Sequence, residues 1–196
     1  MTRVVVVTGA TGETGRAVCA LLRERGDTVI AVGTDAARLE TVDAAERLVA
    51  DLTDRAATDA LAADVTSRHP AVDGILHLVG GWKPGWSDEV TDWLNARLVH
   101  SLLNVSEAFE AALLAAPTGR LAIVSSTVVT HDGPPASAYA AAKLAAESWG
   151  AQLNARWAGT NAAAVTLVVK SIDDPAAVAT ALAGVWELDR GARVLL

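Results

Sequence analysis

Short apolar runs of strand length alternate along this chain with longer stretches whose apolar positions recur every three to four residues. The strand-like runs fall near residues 3–8, 28–32, 47–50, 73–79, 120–125, 163–169 and 192–195. Helical patterns fall near 13–25, 35–41, 54–67, 88–116, 137–158 and 175–187. Steady alternation of the two kinds predicts a parallel sheet whose strands are joined by helical crossovers. Val4 to Val7 is unbroken rather than alternating, as a strand buried on both faces requires. Crossovers of one hand then give a doubly wound parallel α/β sheet of about seven strands with helices on both faces, a single domain over residues 1–196. Ligands bind such sheets at the carboxyl ends of the strands, which directs attention to the loops at Gly80-Gly81 and Asp132-Gly133-Pro134-Pro135.

Composition narrows the partners. A formal charge of −7 would repel nucleic acid and anionic membrane over most of the surface, so neither is expected as a main partner. The valines after Met1-Thr2-Arg3 are too few for a signal peptide, and no later run reaches the length of a membrane span, so a soluble, cytoplasmic protein is expected. The single cysteine, Cys19, precludes an internal disulfide and reads as a small core residue.

Two motifs carry candidate chemistry. The first strand ends in Thr8-Gly9-Ala10-Thr11-Gly12-Glu13-Thr14-Gly15 and opens a helix, with its glycines spaced G-x-x-G-x-x-G. Glycines at that junction allow a sharp turn and close backbone approach to a pyrophosphate, whose charge the helix N-terminal amides can hold. At the end of the second strand, where an acidic side chain would bond an adenosine ribose, stand Gly33 and Thr34. Nothing there repels a 2′-phosphate, and Arg16 or Arg38 could reach one. Asp51 and Leu52, closing the third strand, are placed to touch the adenine ring, or Asp51 to cap the next helix. The second motif is Tyr139, the only tyrosine, four residues before Lys143 on a helix. That spacing puts phenol and ammonium on one face, where the cation would draw the phenol down from its usual ~10 into a useful range for proton transfer.

With this glycine loop at the start and Y-x-x-x-K after the fifth strand, residues 1–170 resemble the short-chain dehydrogenase/reductase family. Ser126, in Ile123-Val124-Ser125-Ser126, matches that family's catalytic serine, and Asn95, in Trp93-Leu94-Asn95-Ala96, its active-site asparagine. The resemblance implies a seven-stranded Rossmann sheet, a nicotinamide cofactor and a small carbonyl or alcohol substrate; the absence of a carboxylate at Gly33-Thr34 favours NADP(H) over NAD(H). It also implies roles: Ser126 donates to the substrate oxygen, Tyr139 supplies the proton, Lys143 holds the nicotinamide ribose, and Asn95 fixes a water behind the lysine. A homodimer or homotetramer is expected on the same ground.

The chain departs from the family pattern in two places. Where the fourth strand of the family ends in N-N-A-G, this chain has His77-Leu78-Val79-Gly80-Gly81. Gly80 keeps the close approach to the cofactor, and His77 is expected to be buried and satisfied by backbone. After the sixth strand the family has a Pro-Gly turn and a helical lid, whereas here Val169-Lys170-Ser171-Ile172 runs directly into Asp173-Asp174-Pro175, a helix start. This leaves three outcomes: an open site for a bulky substrate, a site completed by another subunit, or a catalytically silent cofactor-binding protein acting as a redox sensor or accessory subunit. Tryptophan outnumbers phenylalanine six to one. Trp82 and Trp86 follow Gly80-Gly81 and are placed for an aromatic wall against substrate, with His131 on the opposite rim. Trp149 and Trp157 are expected in the core or at a subunit contact.

Overall fold

A computed structural model describes residues 2–129 and 132–196; His131, expected on the rim, lies outside the described residues. Seven strands, β1 (Val4–Thr8), β2 (Thr28–Gly33), β3 (Glu46–Val49), β4 (Gly74–His77), β5 (Arg120–Ser126), β6 (Ala163–Val169) and β7 (Arg193–Leu195), form one sheet. Its order is β3-β2-β1-β4-β5-β6-β7 and every pairing is parallel. The order reverses between β1 and β4, so the loops leaving those two strands diverge and open a crevice between them.

The helices are α1 (Glu13–Glu24), α2 (Ala36–Leu39), α3 (Arg55–Arg68), α4 (Asp88–Asn95), α5 (Ser101–Ala108), α6 (Glu110–Ala115), α7 (Ala138–Arg156) and α8 (Pro175–Leu182). Successive residues of β1 point to opposite faces, so Val4 and Val6 enter one apolar layer and Val5 and Val7 the other. The first layer is built under α3, α5 and α7 around Phe109, Leu113, Leu153 and Trp157, all essentially inaccessible. Full burial of such side chains contributes roughly 1.5–3 kcal/mol each, which fixes these helices to the sheet. The second layer packs α1 and α8 through Val18, Cys19, Leu22, Val178 and Leu182. Burial pushes the Cys19 thiol up to about 12, so it behaves as a small hydrophobe.

The long helix expected over 88–116 is interrupted. Residues Ala96–His100 form a π-helical turn between α4 and α5, and α5 breaks from α6 at Phe109. A π turn widens the helix locally and re-aims the residues after it, and such turns concentrate at functional sites. A third small cluster, Leu94, Leu98, Ala138 and Ala142 with Tyr139 against it, fixes this turn to the start of α7. The tryptophans of α7 and its end serve packing within the chain: Trp157 is buried and donates to Glu110 Oε1 at 2.6 Å, and half-buried Trp149 donates to Ser106 Oγ at 2.9 Å.

Candidate active site

A cleft of about 670 Å³ lies over the carboxyl ends of the strands at the point where their order reverses. Its lining contains both motifs: Gly9, Thr11, Gly12, Glu13, Thr14 and Gly15 from the glycine loop, and Ser126, Tyr139 and Lys143 from β5 and α7.

The glycine loop is shaped by what a side chain would strike. Gly9 has φ +67°, and a Cβ there would lie 2.7 Å from the Leu78 carbonyl, so the β1 loop touches the β4 loop backbone to backbone. A Cβ on Gly15 would lie 2.5 Å from the Gly9 carbonyl, which only a glycine permits. The N-terminus of α1 opens on this loop with Gly12 as its cap and, among the described residues, no side chain satisfying its first amides. Most of the other helix starts are treated differently: Asp35, Asp54, Ser87, Ser137 and Asp174 accept from the first-turn amides of α2, α3, α4, α7 and α8. The free donors and positive dipole end of α1, approached past Gly9, Gly12 and Gly15, fit a diphosphate. Thr8 does not line this cleft: it is fully buried, with its hydroxyl on His77 Nδ1 at 2.9 Å, and supports the loop from beneath.

At the far end from β5, Gly33, Thr34, Asp51 and Leu52 all line the cleft. Arg38 Nη2 donates to the Thr11 carbonyl at 3.0 Å, and Arg16 Nη1 donates to the same carbonyl. Two guanidinium groups therefore converge on Thr11, whose side chain lies against Gly33; of the two, Arg38 lines the cleft and Arg16 does not. Asp51 accepts from the Thr53 amide at 2.9 Å and the Thr53 hydroxyl at 2.7 Å, which hold its carboxyl below the usual range. It is Asp54 that caps α3, so Asp51 is left facing the cleft.

At the opposite end, Ser126 faces the cleft while Ser125 is buried beside it, its hydroxyl without a partner among the described residues. This follows from strand alternation, which sends Val124 and Ser126 to one face. Ser126 Oγ accepts the Val128 amide at 3.4 Å. Tyr139 and Lys143 are one turn apart, with the ammonium 5.8 Å from the phenol ring centre. The expectation that lysine lowers the phenol is corrected here: burial raises the Tyr139 phenol above its usual value, and the hydrogen bond with Ser126 offsets this only partly. Lys143 instead donates to the Val124 carbonyl at 2.7 Å. Burial lowers it to about 8, with Glu147, one turn along α7, pulling the other way.

Asn95 is the last residue of α4, immediately before the π turn, and is outside the lining. Trp82 lines the cleft and is 66 % exposed, whereas Trp86, also exposed, stands outside it. His77 is buried as expected, but its partners are two hydroxyls, Thr8 and Ser101, rather than backbone. Sequence reasoning missed Arg97 and Ser101, both cleft residues, and the lip formed by Lys170, Ser171 and Ile172. The available signal was their spacing: Arg97 and Ser101 share one helical face four residues apart, just after Asn95. Among the described residues no cluster of His, Cys, Asp and Glu could hold a metal ion, and no helix is long and apolar enough to cross a membrane.

Comparison with known proteins agrees with this geometry. A "3beta-hydroxysteroid dehydrogenase" from Mediterraneibacter gnavus is 31 % identical over 157 residues, which cover 73 % of this chain and 56 % of that protein. The chain thus spans little more than half the length of this curated relative. Among solved structures, a short-chain dehydrogenase from Streptomyces avermitilis superposes with a TM-score of 0.88 at 22 % identity, covering 100 % of this chain and 89 % of the other. Thermoplasma acidophilum aldohexose dehydrogenase gives 0.85 at 14 % identity, covering 100 % and 92 %. At such identities these two likenesses establish the fold. The model of the short chain dehydrogenase family matches residues 3–189, nearly the whole chain, and the protein belongs to that family of oxidoreductases.

Proposed function

We propose that this protein is a nicotinamide-dependent oxidoreductase that reduces a small carbonyl compound, or oxidises the corresponding alcohol, with Tyr139 as general acid/base. The observation that carries the reading is that one cleft contains both the glycine loop at the uncapped start of α1 and the Ser126-Tyr139-Lys143 cluster. When bound, the cofactor supplies or accepts the hydride. The protein's part is to orient, to stabilise charge and to move one proton.

As hydride reaches a carbonyl carbon, negative charge grows on its oxygen. Ser126, whose Oγ takes the Val128 amide and whose hydroxyl bonds the Tyr139 phenol, would turn its proton to that oxygen when substrate enters. Tyr139, kept protonated at neutral pH by burial, donates the second hydrogen bond and then the proton. Lys143 is charged at neutral pH and lies on the same wall, where it would bond the ribose hydroxyls and stabilise the phenolate left behind. Asn95 is assigned the ordering of water behind Lys143. The exposed Trp82 and Ile172 at the cleft mouth favour a substrate with an apolar ring system, in keeping with the name of the curated relative.

NADP(H) is the proposed cofactor because no carboxylate stands at Gly33-Thr34 and Arg38, which with Arg16 donates to the Thr11 carbonyl, lines the cleft. Tryptophan fluorescence titration with NADPH and NADH tests the reading; binding of neither at millimolar concentration would end it. Replacing Arg38 with Ala is expected to weaken NADPH about tenfold and NADH hardly at all, since an exposed charge-assisted bond to phosphate is worth ~1.5 kcal/mol. Equal loss for both nucleotides would remove the 2′-phosphate assignment. A second reading, nucleotide binding without turnover, is favoured by the five-residue link, 170–174, between β6 and α8. NADPH binding with no oxidation across a carbonyl panel would establish it.

A further inference from the structure

His77 stands in the cleft floor at the end of β4, 4 % exposed, and plays no part in the proton transfer described above. Its two ring nitrogens each meet a buried hydroxyl: Nδ1 lies 2.9 Å from Thr8 Oγ1 and Nε2 3.1 Å from Ser101 Oγ. The π turn decides which nitrogen carries the hydrogen. Because helical geometry is widened there, the Ser101 amide bonds the Ala96 carbonyl, five residues back. The Ser101 hydroxyl donates to the Arg97 carbonyl at 2.6 Å. With its proton committed, Ser101 Oγ can only accept from Nε2–H, so Nδ1 is the bare nitrogen and accepts from Thr8. Arg97 continues the chain, since its Nε donates to the Gly80 carbonyl at 3.1 Å. Thr8, His77, Ser101, Arg97 and Gly80 thus form a hydrogen-bonded path from the base of the glycine loop, across the floor, to the opposite wall.

We propose that His77 is the positioning residue of this cleft, a neutral Nε2–H imidazole that ties the strand bearing the glycine loop to the π turn and to Gly80, and so sets the spacing at which the nucleotide is held. The proposal rests on the reading of the cleft as a nucleotide site. A single rigid ring can satisfy a donor and an acceptor hydroxyl on two different elements at once, whereas an asparagine is too short to reach both. Burial, and after it the Lys143 ammonium on α7, keep the imidazole neutral. The tie therefore persists through the physiological pH range.

The test is a double-mutant cycle on the two hydroxyls, read as the dissociation constant for NADPH. Thr8→Val and Ser101→Ala are each expected to raise it about five- to tenfold, and the double variant no more than the worse single one, because either change severs the same path. His77→Gln, which can still donate to Ser101, should recover part of the affinity lost in His77→Ala. Melting temperatures measured alongside separate this from bulk stability: a purely structural histidine would lower Tm in every variant while the folded protein bound NADPH as wild type does. That result, or additive losses in the cycle, overturns the proposal and leaves the oxidoreductase reading intact. Failure of the wild-type protein to bind NADPH overturns both.

Discussion

Replacing Tyr139 with Phe is expected to lower kcat for carbonyl-dependent NADPH oxidation about 10³-fold while leaving the dissociation constant for NADPH within about threefold of wild type. The phenol is the only proton donor in the cluster with a value raised by burial, so at neutral pH it is fully protonated and available. Its ring also contributes to the small cluster holding the π turn against α7, and phenylalanine preserves that contact. The loss should therefore fall on the chemical step alone, worth ~4 kcal/mol of barrier. Steady-state rates on a substrate panel, paired with the fluorescence titration, check it. A variant retaining more than a tenth of the wild-type rate would remove Tyr139 from its role.

Lys143→Met should move activity and stability in opposite directions. The ammonium is buried, and the folded protein lowers it from the usual 10.5 to about 8, so carrying the charge destabilises the native state. Below pH 8 the group is charged in both folded and unfolded chains, and the whole cost is present. Between pH 8 and 10.5 the folded protein sheds the proton first, the unfolded chain binds more protons, and wild-type stability rises with pH. The uncharged, similarly shaped methionine escapes this cost, although it forfeits the bond to the Val124 carbonyl. The net expectation at pH 7 is a gain of roughly 1–3 kcal/mol, or a Tm higher by about 5 °C, shrinking toward zero near pH 10.5. Turnover should fall at least ~10²-fold over the same samples. Thermal melts of both proteins at pH 7 and 10 test the stability half; a variant less stable than wild type at pH 7 would mean that the Val124 bond outweighs desolvation.

The fold was legible because β1 to β7 and their helices announce themselves by apolar runs, caps and glycine turns. Asp54 and Asp174 mark helix starts that the structure places within a residue of where they were expected. What local pattern cannot show is a change of helical pitch. Nothing in Asn95-Ala96-Arg97-Leu98 distinguishes a π turn from an α-helix; the turn is seen only in the folded chain, where Leu94 and Leu98 pack on Ala138 and Ala142, some forty residues away. Arg97, inside that turn, and Ser101, just after it, line the cleft, whereas Asn95, just before it, does not. The direction of the Tyr139 shift was missed for a related reason. Spacing says that a lysine is near, but only the tertiary structure says that its ammonium donates to Val124 and that the phenol is buried. Thr8 and His77 illustrate the same limit: both fall in expected strands and His77 was expected to be buried, but only the sheet register, which sets Thr8 beside His77, shows that their side chains bond each other.

The link from β6 to α8 spans only residues 170–174; its own Ile172, like Trp82 from the β4 loop, lines the cleft and stands exposed. Five residues fastened at both ends have too little slack to swing across a cleft of this size. In the function proposed here, that side of the site has no gate to open after each cycle, and spent nucleotide and product leave by diffusion alone. Turnover would then be timed by bond making and breaking rather than by a slow release step. The same openness assigns the exclusion of water to the substrate's own apolar bulk, so the reactant that covers the cleft best should also be the one converted fastest.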